Sequence, residues 1–314
     1  MKIKVSVVVC TYNQEDTIAR TLESILSQKT QYTYEIILGE DCSTDGTRTI
    51  CEQYAVKNPS IITLLPPAPN KGLMVNYRDC INKCKGEYLM ACAGDDWWHN
   101  ERKIEMQVDF LERNPECVLS YTGCIRYNAS INSKKEMKVI VPADDYFSSL
   151  IRVDFICAPT ICFRKKAFDK INIDEYIAKG YPMEDYPILL EMSQMGKFHA
   201  LDESTVTYTH NADSASTFPT LDKQIHFEDA VQQVRKDIVK KYQKEGEYSY
   251  AYLEDIYYRN LYSHGIKFND RLFSYQSIQK VKKKNLKDIV KLFFASNPLT
   301  FSLIRIRNKA YATL

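Results

Sequence analysis

The sequence predicts an α/β fold, a mostly parallel central sheet flanked by helices, followed by a C-terminal helical extension. Three observations carry this. Short apolar runs alternate with segments of helical periodicity as far as Arg113, the signature of strands and helices laid down in turn. Three of the early apolar runs end in conspicuously polar turns, Thr11-Tyr12-Asn13, Glu40-Asp41 and Asp95-Asp96. From Lys223 onward the pattern becomes mainly helical, and the last stretch is rich in lysine.

Val5 to Cys10 is an unbroken weakly polar-to-apolar run suited to a strand buried on both faces. Past its turn, Ile18, Leu22, Ile25 and Leu26 recur on one helical face. Glu35 to Gly39 predicts a second strand, Asp45-Gly46 a turn and Thr47 to Ala55 a second helix. Ile61 to Leu65 is a third strand, stopped by Pro66, Pro67 and Pro69, none of which could sit in its middle. A helix is expected from Leu73 to Cys84 with Gly86 as its C′ residue, then a strand from Glu87 to Cys92 ending at Gly94-Asp95-Asp96. Glu101 to Arg113 reads as a helix stopped by Pro115, and Cys117 to Tyr121 as a strand. A less regular region holds Asp144-Asp145, the apolar Phe155 to Phe163 and Tyr181-Pro182-Met183-Glu184-Asp185. Ile188 to Met195 predicts a helix ending at Gly196, and Thr205 to Thr209 a strand. The expected division is a main domain over 1–222, split into 1–115 and 116–222, and a basic helical extension over 223–314.

Hydrophobic residues are 45% and charged residues 26% of the chain, ordinary for a globular protein. The first apolar run is too short for a secretory signal, and no window reaches the ~18 apolar residues that span a bilayer. The expected location is therefore the cytoplasm, with a peripheral place on the inner face of the cell membrane as an option. The ten cysteines are scattered, with Cys10, Cys92 and Cys162 inside apolar runs, which reads as core thiols in a reducing compartment. Cys80 and Cys84 lack a second Cys or His pair of matching spacing for a zinc site.

The net charge of +2 conceals an asymmetry: Arg259 to Leu314 carries twelve Lys and Arg against Asp270 and Asp288, a balance of +10 that leaves −8 elsewhere. Within it, Lys280, Lys282, Lys283, Lys284 and Lys287 precede Leu292, Phe293, Phe294, Leu299, Phe301, Leu303 and Ile304. Two readings stand side by side, an interfacial segment drawn to anionic lipid and a packed helical appendage with a solvated basic face. No nucleic-acid partner is expected.

In sheets of this kind ligands gather at the carboxyl ends of the strands, where neighbouring loops diverge. The three polar turns fall there. No G-x-G-x-x-G follows the first strand and no G-x-x-x-x-G-K-[ST] occurs, so two backbone-amide routes to phosphate are missing. Carboxylates holding Mg²⁺ or Mn²⁺ are the economical alternative, and Asp95-Asp96 fits that task. Of Trp97 and Trp98, one is expected in the core rather than both against a ligand.

Against this background a resemblance becomes specific. The runs SVVVCTYNQEDTIARTLESILSQ and YEIILGEDCSTDGT, followed by NKGLMVNYRDCINKCKGEYLMACAGDDWW, YPMEDYPILLEMSQMGKF and YTHNADSAS, resemble family 2 glycosyltransferases of the bacterial surface-polysaccharide type, in the family's order from Lys4 to Ser216. The resemblance implies a glycosyltransferase-A fold in which the main domain is catalytic, its first part binding donor and its second acceptor. It implies a nucleoside diphosphate sugar donor, UDP-linked by preference, a saccharide or lipid-linked saccharide acceptor, Mn²⁺ or Mg²⁺, and inversion at the anomeric carbon.

Position by position, the resemblance makes Thr11 and Tyr12 lining of the nucleotide pocket and Asp41 a partner of the base. Asp95 would contact ribose or metal, Asp96 would be the principal metal ligand, and His210 would close the site over metal or diphosphate. Asp185 would be the general base, with its neighbour Glu184 as rival. The sequence departs from the family at Ala93, where an acid often stands, at Asp79 in place of an Asn, and at Thr207-Tyr208 in place of a Tyr-Arg pair. Two other classes are carried: a sugar-nucleotide nucleotidyltransferase, and a catalytically silent carbohydrate-binding or assembly protein of the same fold. Oligomeric state is not legible in the sequence.

Overall fold

A computed structural model describes residues 2–210 and 218–303. The chain divides into two compact units, Met1–Asn211 and Ala212–Leu314. In the first, strands β1 (Val5–Thr11), β2 (Tyr34–Glu40), β3 (Ile62–Leu64) and β4 (Tyr88–Ala93) alternate with helices α1 (Ile18–Leu26), α2 (Thr47–Lys57) and α3 (Leu73–Ile81). A two-residue strand β5 (Trp97–Trp98) leads into α4 (Lys103–Arg113), β6 (Cys117–Asn128), β7 (Ser133–Met137) and α5 (Tyr146–Arg152). Then come β8 (Cys162–Arg164), α6 (Lys165–Phe168), α7 (Ile173–Ala178), α8 (Asp185–Met192) and β9 (Lys197–His210). One sheet takes all nine strands in the order β3-β2-β1-β4-β8-β6-β9-β5, with β7 beside β6.

The four early strands are parallel, as the alternation requires, with β1 between β2 and β4 in registers Val7↔Ile36 and Val7↔Met90. Val5, Val7, Val8 and Val9 of β1 are buried, and so are Ile18, Leu22 and Ile25 of α1 on the helical spacing. Each such side chain contributes about 1.5–3 kcal/mol by leaving water. Beyond β4 the sheet changes character, because β8 runs antiparallel between β4 and β6. β9 then pairs with β6 in parallel, through register shifts between Cys117 and Cys124. Such bulges add an unpaired residue to one strand and bend it.

Three sequence expectations change in detail. The helix expected to Cys84 ends at Ile81, and Gly86 is not its cap. A Cβ on Gly86 would lie 2.4 Å from the Ser6 amide nitrogen, so glycine is needed there for close approach to β1. The strand Thr205–Thr209 is the end of a 14-residue strand, and the short β5 has no period to announce it. All ten cysteines are free thiols, and Cys92 and Cys162 are fully in the core.

The second unit is helical: α9 (Leu221–Lys241), α10 (Tyr250–Lys267), α11 (Arg271–Lys280) and α12 (Leu286–Ser296). Thr220, Ser249, Asp270 and Asn285 cap these four N-termini with side-chain acceptors, each cap worth about 1 kcal/mol. No helix among the described residues is long and apolar enough to cross a membrane. Asn211 to Ser216, the end of the last motif run, and Ile304 onward lie outside the described residues.

Candidate active site at the strand ends

The turns after β1 and β2 are laced into one structure. The Asp41 N–H donates to the Thr11 carbonyl at 3.0 Å, extending the β1–β2 pairing past its last strand residue. Asn13 adopts a positive φ of 52°, its N–H donates to Ser43 Oγ at 3.0 Å and its Oδ1 accepts from the Thr44 N–H at 2.8 Å. The Gln14 N–H donates to Thr47 Oγ1 at 2.7 Å. Thr11 is buried with its hydroxyl on Gln14 Oε1 at 2.8 Å, whereas Tyr12 stands 46% exposed at the rim.

Asp41 is buried and fully engaged by backbone. Its Oδ1 accepts from the Lys71 N–H at 3.0 Å, its Oδ2 from the Gly72 N–H at 2.9 Å, and its carbonyl from Asn70 Nδ2 at 2.8 Å. Gly72, at φ 81°, is the N-cap of α3. Asp41 therefore ties the loop before α3 to the end of β2.

The third turn is braced from both sides. A Cβ on Gly94 would come within 2.5 Å of Thr11 Oγ1, so only glycine permits the approach. From the N-cap of α1, Thr17 Oγ1 donates to the Gly94 carbonyl at 2.8 Å, and from within α1 Thr21 Oγ1 donates to the Asp96 carbonyl at 2.6 Å. Across the sheet, β5 pairs with β9 in the register Trp97↔Thr207. That pairing brings Thr209 to the turn, where its N–H donates to Asp96 Oδ1 at 2.7 Å and its hydroxyl to the Asp95 carbonyl at 2.6 Å.

Asp96 is 1% exposed. Burial, and after it the charge of Asp95, hold its carboxyl well above the usual carboxylate range, and burial raises Asp95 as well. Beside them, Arg20 of α1 donates to the Asp95 carbonyl at 3.3 Å and lies 3.7 Å over the Trp97 ring. Trp98 is in the core and Trp97 is half-buried. His210 closes β9 directly after Thr209 and is half-buried.

Among the described residues no group of three or more His, Cys, Asp and Glu side chains forms a metal cage. The donor set nonetheless suits Mg²⁺ or Mn²⁺, which are commonly bound by one or two carboxylates with substrate phosphates completing the shell. The buried Asp96 carboxyl and the half-buried Asp95 carboxyl next to it, both pushed toward the protonated form, are such a set. Ala93, where a third acid was missed in the sequence, is exposed at the end of β4.

Asp185 opens α8, with its Oδ1 accepting from the Tyr186 N–H at 2.8 Å. Burial and then the charge of Asp185 push Glu184 up to about 8, and burial raises Asp185 too. Both line a cavity of about 30 Å³ with Tyr77, Ala91, Ile161 and Phe163, room for a single water. The field of Glu184 reaches Cys10 at the end of β1 and Tyr77 on α3, and that of Asp185 also reaches Tyr77.

The family model described as glycosyl transferase family 2 matches residues 6–172. The chain belongs to glycosyl transferase family 2. The matched span contains Thr11, Tyr12, Asp41, Asp95 and Asp96, while Asp185 and His210 lie beyond it. An uncharacterised protein of Mycobacterium tuberculosis is 27% identical over 208 residues, 66% of this chain and 59% of that protein. This chain thus matches about three-fifths of the length of such curated relatives. The putative glycosyltransferase EpsE of Bacillus subtilis is 31% identical over 194 residues, covering 62% and 68% of the two chains.

Among solved structures, S. aureus TarS in complex with UDP-GlcNAc superposes with TM-score 0.58 at 16% identity over 99% of this chain and 92% of that one. The mannosyltransferase PcManGT of Pyrobaculum calidifontis, in complex with GDP-Man and Mn²⁺, gives TM-score 0.55 at 14% identity over 98% and 88%. At these identities the likeness concerns the fold, which is the glycosyltransferase-A fold of the family 2 enzymes.

Reasoning from sequence missed Thr17 at the N-cap of α1, Arg20 and Thr21 within it, and Thr209 of β9. The threonines look like ordinary strand and helix residues, and Arg20 like a solvated flank. The available signal was position, since α1 follows directly on the first polar turn.

Proposed function

We propose that the protein is an inverting glycosyltransferase that moves a sugar from a nucleoside diphosphate sugar, UDP-linked by preference, to a saccharide or lipid-linked saccharide hydroxyl in surface-polysaccharide assembly. The observation that carries this reading is the Asp95-Asp96 turn, with Asp96 buried and the turn braced by Thr17, Thr21 and Thr209 at the carboxyl end of β4. Relatives named for teichuronic acid and poly(ribitol-phosphate) glycosyl transfer support the polymer class of acceptor.

In this reading Thr11 and Tyr12 border the nucleotide, and Asp41 acts on the base side chiefly by holding the Asn70–Gly72 loop. Asp96, with Asp95, would hold Mn²⁺ or Mg²⁺, and His210 would close over the diphosphate. The cation, when bound, supplies positive charge for the departing diphosphate. Arg20 adds a second positive charge beside the same turn.

Asp185 serves as base, removing the acceptor hydroxyl proton as its oxygen attacks the anomeric carbon from the face opposite the diphosphate. The local electrostatics favour Asp185 over Glu184. Burial and the charge of Asp185 push Glu184 toward its protonated form, whereas the Tyr186 N–H donates to the Asp185 carboxylate and favours its charged form.

The test is incubation with a panel of nucleotide sugars, with and without Mn²⁺ or Mg²⁺. Cation-dependent release of nucleoside diphosphate is the expected result. Pyrophosphate-dependent formation of nucleoside triphosphate would instead establish a nucleotidyltransferase, and binding without turnover a silent assembly protein.

A further inference from the structure

Helix α12 is built inside out. Asp288, Leu292 and Ala295 share its inward face: Asp288 and Ala295 are buried and Leu292 is half-buried. Asp288 accepts from Arg259 Nη2 at 2.9 Å and completes a capping box with Asn285. The opposite face carries Leu286, Ile289, Val290 and Phe293, which are 77%, 54%, 46% and 64% exposed. Their spacing of i, i+3, i+4 and i+7 is the stripe that a globular helix normally turns toward its core. Beyond the helix, Leu299 and Leu303 are 80% and 60% exposed. An exposed, contiguous apolar stripe on an otherwise well-anchored helix marks an interaction surface.

Its border says which partner. Lys282, Lys283 and Lys284 lie exposed in the turn leading into α12, and Lys287 is exposed in its first turn. The one acidic residue of the helix, Asp288, is turned inward. Lys282 meets the Glu254 carboxylate at 3.0 Å, and with Lys283, Lys284 and Lys287 beside it the border keeps a surplus of positive charge, which matches the headgroup and acyl boundary of an anionic bilayer. A second copy of this chain, pairing through the same face, would set these like charges against one another.

We propose that α12 is a monotopic membrane anchor that lies in the surface of an anionic bilayer with Leu286, Ile289, Val290 and Phe293 among the acyl chains. The anchor is independent of the sugar chemistry, and its loss leaves donor binding intact. Near an anionic surface each lysine strengthens binding about fivefold.

The experiment is flotation of the full chain with vesicles of phosphatidylglycerol and phosphatidylcholine, compared with pure phosphatidylcholine. The expected result is binding to the anionic vesicles that weakens in high salt. Ile289→Ser with Phe293→Ser should lower it at least tenfold, and Lys283→Glu with Lys287→Glu by a similar factor. Val56→Ser, at a side chain 80% exposed on α2, should leave it unchanged, and circular dichroism should show all variants folded. Absence of flotation with anionic vesicles, equal binding by the stripe variants, or a dimer in sedimentation that Phe293→Ser dissolves would overturn the proposal.

Discussion

Asp41 and Asp96 occupy equivalent places, each in the turn at the carboxyl end of a parallel strand, and each is buried. Their surroundings differ. Each carboxylate oxygen of Asp41 accepts a backbone N–H from the loop before α3. Asp96 takes an amide from Thr209 on one oxygen while a second carboxyl sits beside it, and its proton affinity is raised accordingly. A buried carboxylate whose hydrogen bonds are met holds structure. One that burial and a like charge push toward neutrality is poised for a cation or a proton. Glu184, at the N-cap of α8, repeats the second pattern, raised by burial and then by the charge of Asp185.

The contrast can be broken by substitution. The largest effect is expected at Asp185→Asn, where transfer to acceptor should fall about 10²–10⁴-fold, the usual contribution of a general base, with donor affinity unchanged by titration.

Asp96→Asn should come next, abolishing the part of donor affinity that depends on Mn²⁺. The same variant should raise the melting temperature of the metal-free protein at pH 7, because the amide carries no charge to bury. The sign follows from linkage. Burial raises the folded-state value of Asp96 above its unfolded value, so the bound proton stabilises fully below the unfolded value and that stability is lost as pH rises through the folded one. The wild type should therefore lose stability toward neutral pH relative to Asp96→Asn, and thermal melts across pH 4 to 8 check this.

Asp41→Ala should act on the fold. It strips two amides of their acceptor and should cost about 1–3 kcal/mol, read as a lower urea midpoint, with a smaller loss for Asp41→Asn. The smallest effect is expected at Glu184→Gln, which should keep transfer while removing from the pH–rate profile any titration near the value of about 8 assigned to Glu184.

How far the sequence carried depended on whether a signal was local. β1 to β4 and their helices were legible because valine runs and the spacing of Ile18, Leu22 and Ile25 follow from one element's own burial. The glycosyltransferase-A fold and family 2 membership rest on ordered local motifs, and both hold. The antiparallel insertion of β8, the bulged pairing of β6 with β9, and the two-residue β5 were not legible, because strand partners distant in sequence decide them.

The acidic turns were visible as polar breaks, yet their unlike surroundings were not. Asp41 meets Lys71 and Gly72 across 30 and 31 positions, and Asp96 meets Thr209 across 113. The basic tail was legible as composition, whereas the outward face of α12 required the helix register set by the inward Asp288.

The most direct test of this account is calorimetric titration of a UDP-sugar into the wild type, Asp41→Asn and Asp96→Asn, each with and without Mn²⁺. The account predicts that Mn²⁺ strengthens binding in the wild type and in Asp41→Asn but not in Asp96→Asn. An equal gain from Mn²⁺ in Asp96→Asn would contradict it.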